Sequence, residues 1–131
     1  QTTLALDAYQ TILEFDPRHA RAHFAIGQAL ARSGRIDGAI DAFQEALSLR
    51  KVFPECDLAY ARALETKGRI REALHHYRIY VQDPAALEQR DEVAKHIIEL
   101  SQRGVLSDTG THRRMTTGQH SAAPSEPDPV W

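Results

Sequence analysis

Residues 20–53 read ARAHFAIGQALARSGRIDGAIDAFQEALSLRKVF, and residues 54–87 read PECDLAYARALETKGRIREALHHYRIYVQDPAAL. Set one above the other, the two stretches align without a gap. Phe24 falls on Leu58, Leu30 on Leu64, Gly34 on Gly68, and Arg35-Ile36 on Arg69-Ile70. In the later half of the period Ala39 falls on Ala73, Phe43 on Tyr77 and Leu47 on Val81. The register extends back to Ala5, Tyr9 and Leu13. A fixed period of 34 residues means stacked supersecondary units, each unable to bury its apolar face alone.

Each unit reads as two helices. Ala22, Ile26, Ala29-Leu30 and Ser33 lie close to helical spacing, which predicts a helix over about 20–33. Gly34 ends it, because glycine readily takes the left-handed conformation past a helix C-terminus. Ile36, Ala39-Ile40, Phe43 and Ala46-Leu47 form the stripe of a second helix over about 36–50. The next unit starts near Pro54, turns at Gly68 and continues as a helix over about 70–82. Asp83-Pro84 has the chemistry of a helix start, an acid that caps and a proline suited to the first turn. It predicts a last helix over about 85–102. At the front, residues 3–15 read as one helix with no partner before it.

This helix–turn–helix period resembles the tetratricopeptide repeat. The family pattern W-x₂-L-G-x₂-Y is matched by His23-x₂-Ile26-Gly27-x₂-Leu30 and by Asp57-x₂-Tyr60-Ala61-x₂-Leu64. The family's A-x₃-F is matched by Ala5-x₃-Tyr9, Ala39-x₃-Phe43 and Ala73-x₃-Tyr77. Its closing proline matches Pro17; Lys51 takes the next such slot, and Pro84 comes one residue early. The resemblance implies an all-α solenoid of antiparallel helix pairs. Its parts would be the second helix of a partial repeat (1–17), full repeats over about 20–53 and 54–84, and a C-terminal capping helix (85–103). His23 and Asp57 stand where the family has a large aromatic, so looser contacts are expected there.

The composition changes once along the chain, near Gly104. Residues 104–131 are rich in Gly, Ser, Thr and Pro and hold few large apolar side chains, too few to offset their ordering entropy. A flexible tail, disordered or extended, is expected. The whole chain is 42% apolar and 26% charged, as a globular protein is. Sixteen Lys+Arg against eighteen Asp+Glu give a formal charge of −2, which speaks against bulk nucleic-acid binding. No apolar run approaches a membrane span. The lone Cys56 supports neither an intramolecular disulfide nor a thiolate-rich zinc site. The chain opens on Gln1, as a processed or truncated piece would. A cytoplasmic setting is favoured over a periplasmic one. Thirteen arginines against three lysines resemble the usage of a GC-rich, bacterial genome.

In tetratricopeptide-repeat proteins the first helix of each pair lines a concave face, which makes that face the expected site. The residues off the packing stripe there are Arg21, Phe24, Gln28 and Arg32, then Glu55, Leu58, Arg62 and Thr66, then Gln89, Glu92 and His96. The expectation is a groove with a Phe24–Leu58 apolar floor and flanking arginines. An arginine fork pairs bidentately with a carboxylate, so an extended peptide with an apolar anchor and an acid would suit it. The same charges also suit a merely solvated face. The Lys/Asn/Arg set with which some family members clamp a chaperone C-terminus is missing, and the chain has no Asn at all.

Other chemistry is weak in this sequence. His19 and His23 are four apart, but His19 precedes the helix. His75 and His76 are adjacent and so diverge by about 100° on a helix. No metal site and no cofactor are expected. Cys56 falls in a first helical turn, where the dipole lowers a thiol pKa, yet no base is in view for it. Arg113-Arg114-Met115-Thr116 has the form of a basophilic kinase site and reads more simply as a solvated charge pair. Trp131 closes a proline-spaced end and is a candidate interface anchor.

The reading that follows is a non-catalytic scaffold that binds a protein or peptide partner in its groove. The partner-contacting residues would be Arg21, Phe24, Gln28, Arg32, Leu58, Arg62, His96 and Trp131. One alternative is self-assembly into a homo-oligomer. Leu6, Tyr9 and Leu13 of one copy would stack on Leu87, Ala94, Ile97 and Ile98 of the next, or the tail would dock into a groove. Another is a regulatory fragment of a larger enzyme or assembly factor.

Overall fold

Glycine turns set the frame of this fold. In the computed structural model, which describes residues 2–86 and 89–103, both repeats turn through the same hydrogen-bonded device. Gly34 and Gly68 sit at φ +84° and +82°, the left-handed region that a side chain disfavours. Around Gly34, the Arg35 amide donates to the Leu30 carbonyl at 2.8 Å and the Gly34 amide to Ala31 at 3.1 Å. Around Gly68, Arg69 donates to Leu64 and Gly68 to Glu65, each at 2.9 Å. This is the Schellman pattern, which satisfies carbonyls that a helix end leaves open.

The helices run in chain order: α1 (Thr2–Phe15), α2 (Ala20–Arg32), α3 (Ile36–Leu49), α4 (Pro54–Thr66), α5 (Ile70–Gln82) and α6 (90–103). The described residues hold no strand, and the fold is all-α, built of helix pairs. Residues 1–97 form one compact unit, and residues 98–131 fall in a second. The division therefore lies six residues ahead of the composition change. The tail 104–131, with Trp131 and the Thr116 motif, lies outside the described residues, as does Leu87. No described helix is long and apolar enough to cross a membrane.

The starts of the helices are built locally. His19 caps α2, its Nδ1 accepting from the Ala22 amide at 3.0 Å. That leaves the proton on Nε2, as His23 Nε2 also donates to the Pro17 carbonyl at 3.0 Å. Pro54 occupies the first turn of α4, where a missing N–H costs nothing. The expected start of the last helix at residue 85 is corrected to residue 90. Asp83 instead closes α5 and folds a turn: its Oδ1 accepts from the Ala85 amide at 2.8 Å, and its carbonyl accepts from Ala86 at 3.0 Å. The cap and the proline are used, but for a turn.

Each helix from α1 to α5 packs on its sequence neighbours, and α2 also touches α4. Small residues let the backbones approach. Ala22, Ala39, Ala46, Ala61 and Ala73 are fully buried. Gly27 shows how close the approach is: a Cβ built there would lie 2.5 Å from Phe43 Cε1. The Phe43 ring lies against the bare backbone of Gly27, and Phe43, Phe53 and Leu64 are completely enclosed. This burial, at about 25 cal/mol per Å² of apolar surface, is what holds the pairs together.

Candidate functional site

The first helices of the successive pairs, α2 and α4, lie side by side, and the start of α6 continues their row within residues 1–97. Two adjoining clefts open along this row. The first, about 350 Å³, lies between α2 and α4 and is lined by Gln28, Ala31, Arg32, Ile36, Phe43, Ala59, Arg62, Ala63 and Thr66. The second, about 470 Å³, lies between α4 and α6 and is lined by Arg62, Glu65, Thr66, Tyr77, Gln89, Glu92, Val93 and His96. Arg62 and Thr66, one turn apart on α4, belong to both.

The clefts gather four of the residues expected to bind: Gln28, Arg32, Arg62 and His96. Three others go elsewhere. Phe24 is only 5% exposed and Leu58 6%, so the expected apolar floor is core. Phe24 is wedged between Phe53, at 5.0 Å between ring centroids, and Phe43, at 6.0 Å. An apolar side chain at the same register of both repeats marks a packing position, and that signal was present in the alignment. Arg21 is exposed but engaged. Its guanidinium bonds Glu55 at 3.0 Å, one period on, and lies 5.3 Å from the Phe53 ring centroid. The true floor of the first cleft is the small side chains Ala31, Ala59 and Ala63 with Ile36, and sequence reasoning did not select them.

The polar groups of the second cleft are largely held by one another. Glu65 Oε1 accepts from the Tyr77 hydroxyl and from His96 Nε2, each at 2.7 Å. The His96 and Tyr77 rings meet edge to face at 5.3 Å. Burial, and then the bond to Glu65, push the Tyr77 hydroxyl well above its ordinary range, so it stays a donor. Arg62 donates to Gln89 Oε1 at 2.9 Å and so spans the mouth from α4 to the segment before α6.

Away from the clefts, Asp57 is buried, 4% exposed, and accepts from His76 Nδ1 at 2.8 Å. Tyr60 packs on the His76 ring at 4.6 Å. This contact fills the place of the family's large aromatic, where a looser fit was expected. Cys56 is fully enclosed, its Sγ 3.6 Å from the Phe43 carbonyl oxygen. Burial, and secondarily the Asp57 charge, push its thiol up to about 12, so the expected lowering by the helix dipole is overturned. Among the described residues no three His, Cys, Asp or Glu side chains gather as metal ligands do.

A family profile for the tetratricopeptide repeat matches residues 1–52, which span α1, α2 and α3. No curated protein matches the chain. Among solved structures, the type III secretion translocator chaperone SycD of Yersinia enterocolitica is similar over 79% of this chain and 74% of its own. The TM-score is 0.72 and the sequence identity 18%, a likeness of fold.

Proposed function

We propose that this chain, whose residues 1–52 match the tetratricopeptide-repeat profile, is a non-catalytic scaffold that binds a segment of a protein partner along the α2–α4–α6 row. The observation that carries this reading is the pair of adjoining clefts with the common wall Arg62 and Thr66. Short side chains floor the first cleft, and longer polar ones rim it, which suits a backbone laid across it with its side chains to either side. The similar SycD is a translocator chaperone, a role exercised on other proteins, which accords with a protein partner here.

The test is site-specific photo-crosslinking in the cell of origin. A crosslinker at Gln28 or Thr66, on the row, should capture one partner. The same crosslinker at Arg78, exposed on α5, should not. Capture from both positions alike would sink the reading.

A second reading rests on α1, where Leu4 is 73% and Phe15 86% exposed. Leu6, Tyr9 and Leu13 are half-buried, so the apolar surface left open on α1 lies beside the stripe expected to stack. Self-association through this surface would appear as a mass that grows with concentration in light scattering and that Phe15→Asp abolishes. A constant monomer mass would remove it.

A further inference from the structure

On the reading of the row as a partner-binding face, we infer that its partner is a peptide segment of fixed charge order. An acidic side chain is taken between Arg32 and Arg62 at the α2–α4 cleft, and acids are rejected from the α4–α6 cleft.

The argument is one of charges and their partners. Several cations of these repeats have a carboxylate: Arg21, itself on α2, has Glu55 at 3.0 Å, Lys67 has Asp37 at 3.1 Å, and Arg69 has Glu72 at 2.7 Å. Among the described residues, Arg32 makes no ion pair, and Arg62 has only the neutral Gln89 oxygen as its partner. Both arginines line the α2–α4 cleft, and no acid lines it. A carboxylate entering there meets two guanidinium forks and no repulsion. For Arg62 it replaces a neutral acceptor by a charged one, and charge-assisted bonds are roughly twice as strong.

The α4–α6 cleft shares Arg62 with the first and has His96 as well, but it also holds carboxylates, which the first does not. Its carboxylates are Glu65 and Glu92. Glu65 is already bonded by Tyr77 and His96, and among the described residues Glu92 makes no ion pair. An acid placed beside Glu92 would be repelled, and a lysine or arginine attracted. The two clefts are contiguous, so a segment lying across both is read in one direction only. The floor of Ala31, Ala59, Ala63 and Ile36 adds a second requirement, namely small apolar side chains next to the acid.

The experiment pans a library of random extended peptides on the intact chain. The best binder is then made in three forms: as found, with its acid changed to lysine, and with its charge order reversed. The selected peptides should carry an acid flanked by small residues. Arg32→Glu or Arg62→Glu should each weaken the binder by about tenfold or more, the scale of one lost charged hydrogen bond. The double variant should take the lysine form in its place. Glu92→Lys should let the reversed peptide bind as well as the forward one. Helix content measured by circular dichroism guards against unfolding, and both arginines are exposed.

Ala59→Trp separates the two levels of the argument, because it fills the floor of the first cleft whatever the charges do. Binders lost on Ala59→Trp but indifferent to both arginines would overturn the charge order and leave the face standing. Binders indifferent to Ala59→Trp, or no binders at all, would overturn the face and the charge order together.

Discussion

The first repeat, α2 with α3, and the second, α4 with α5, share the glycine turn between their helices, with bonds that agree within about 0.2 Å, and differ in what they bury. At equivalent positions the first has Ala31, Ala42 and Phe43, where the second has Glu65, His76 and Tyr77. The first is held by apolar contact, with Phe43 lying on the bare backbone of Gly27. In the second, Ala61 replaces the glycine, and the Tyr77 hydroxyl reaches Glu65 while His76 reaches the buried Asp57. One backbone design thus tolerates two kinds of interior. The apolar repeat depends on volume, and the polar one on every donor finding its acceptor.

That contrast is open to breaking, most severely at its apolar end. Phe43→Ala should cost about 4 kcal/mol in urea unfolding, because the ring is wholly enclosed and a cavity is left behind. His76→Leu should cost about 3 kcal/mol, since it leaves Asp57 buried without its donor. Asp57→Asn together with His76→Leu should recover part of that loss; if the double variant is no more stable than His76→Leu alone, the pair is not what carries the second repeat. Gly27→Ala should cost about 1–2 kcal/mol against the Phe43 ring, less whatever the better helix former returns, about 1 kcal/mol. Its counterpart Ala61→Gly should lose only that propensity, about 1 kcal/mol, so equal losses at the two sites would erase the volume argument.

The smallest effect is one of pH. The Cys56 thiol moves from its ordinary 9.0 to about 12 in the folded chain, so folding holds its proton more tightly than the unfolded chain does. The stabilisation from this group is whole below about pH 9 and is lost as the pH climbs towards 12. By pH 10 the loss should be about 1 kcal/mol, and Tyr77, raised in the same direction, steepens the fall at higher pH. Denaturant midpoints taken across this range should drop less in Cys56→Ala than in the parent chain. A parallel drop would show that the thiol is not the titrating group.

Much of this frame could be read before any coordinates. Gly34 and Gly68 announce helix ends because a left-handed turn residue is a local requirement, visible at one position. Arg62 and Thr66, or Gln28 and Arg32, share a face because they are one turn apart, which is again local. What was not legible depends on a third element. The match of Phe24 with Leu58 marked a packing position, but that Phe53, supplied by the α3–α4 connection, closes over Phe24 could not be read from its own helix. His76 and Asp57 are 19 residues apart on different helices, and no spacing rule links them. The turn at Asp83-Pro84 used the chemistry of a helix start for another purpose. Periodicity gives the angle of a side chain around its helix, and only packing says what stands opposite.

Arg62 stands in the wall common to two clefts, and thermodynamics attaches a condition to such a wall. If a carboxylate on the α2–α4 side draws the guanidinium away from Gln89, the shape of the α4–α6 side changes with it. Whatever preference the first occupant creates for the second, the second must return for the first by the same factor. A segment that fills both clefts is therefore recognised as a pair of coupled halves, and trimming either half would weaken the grip on the other.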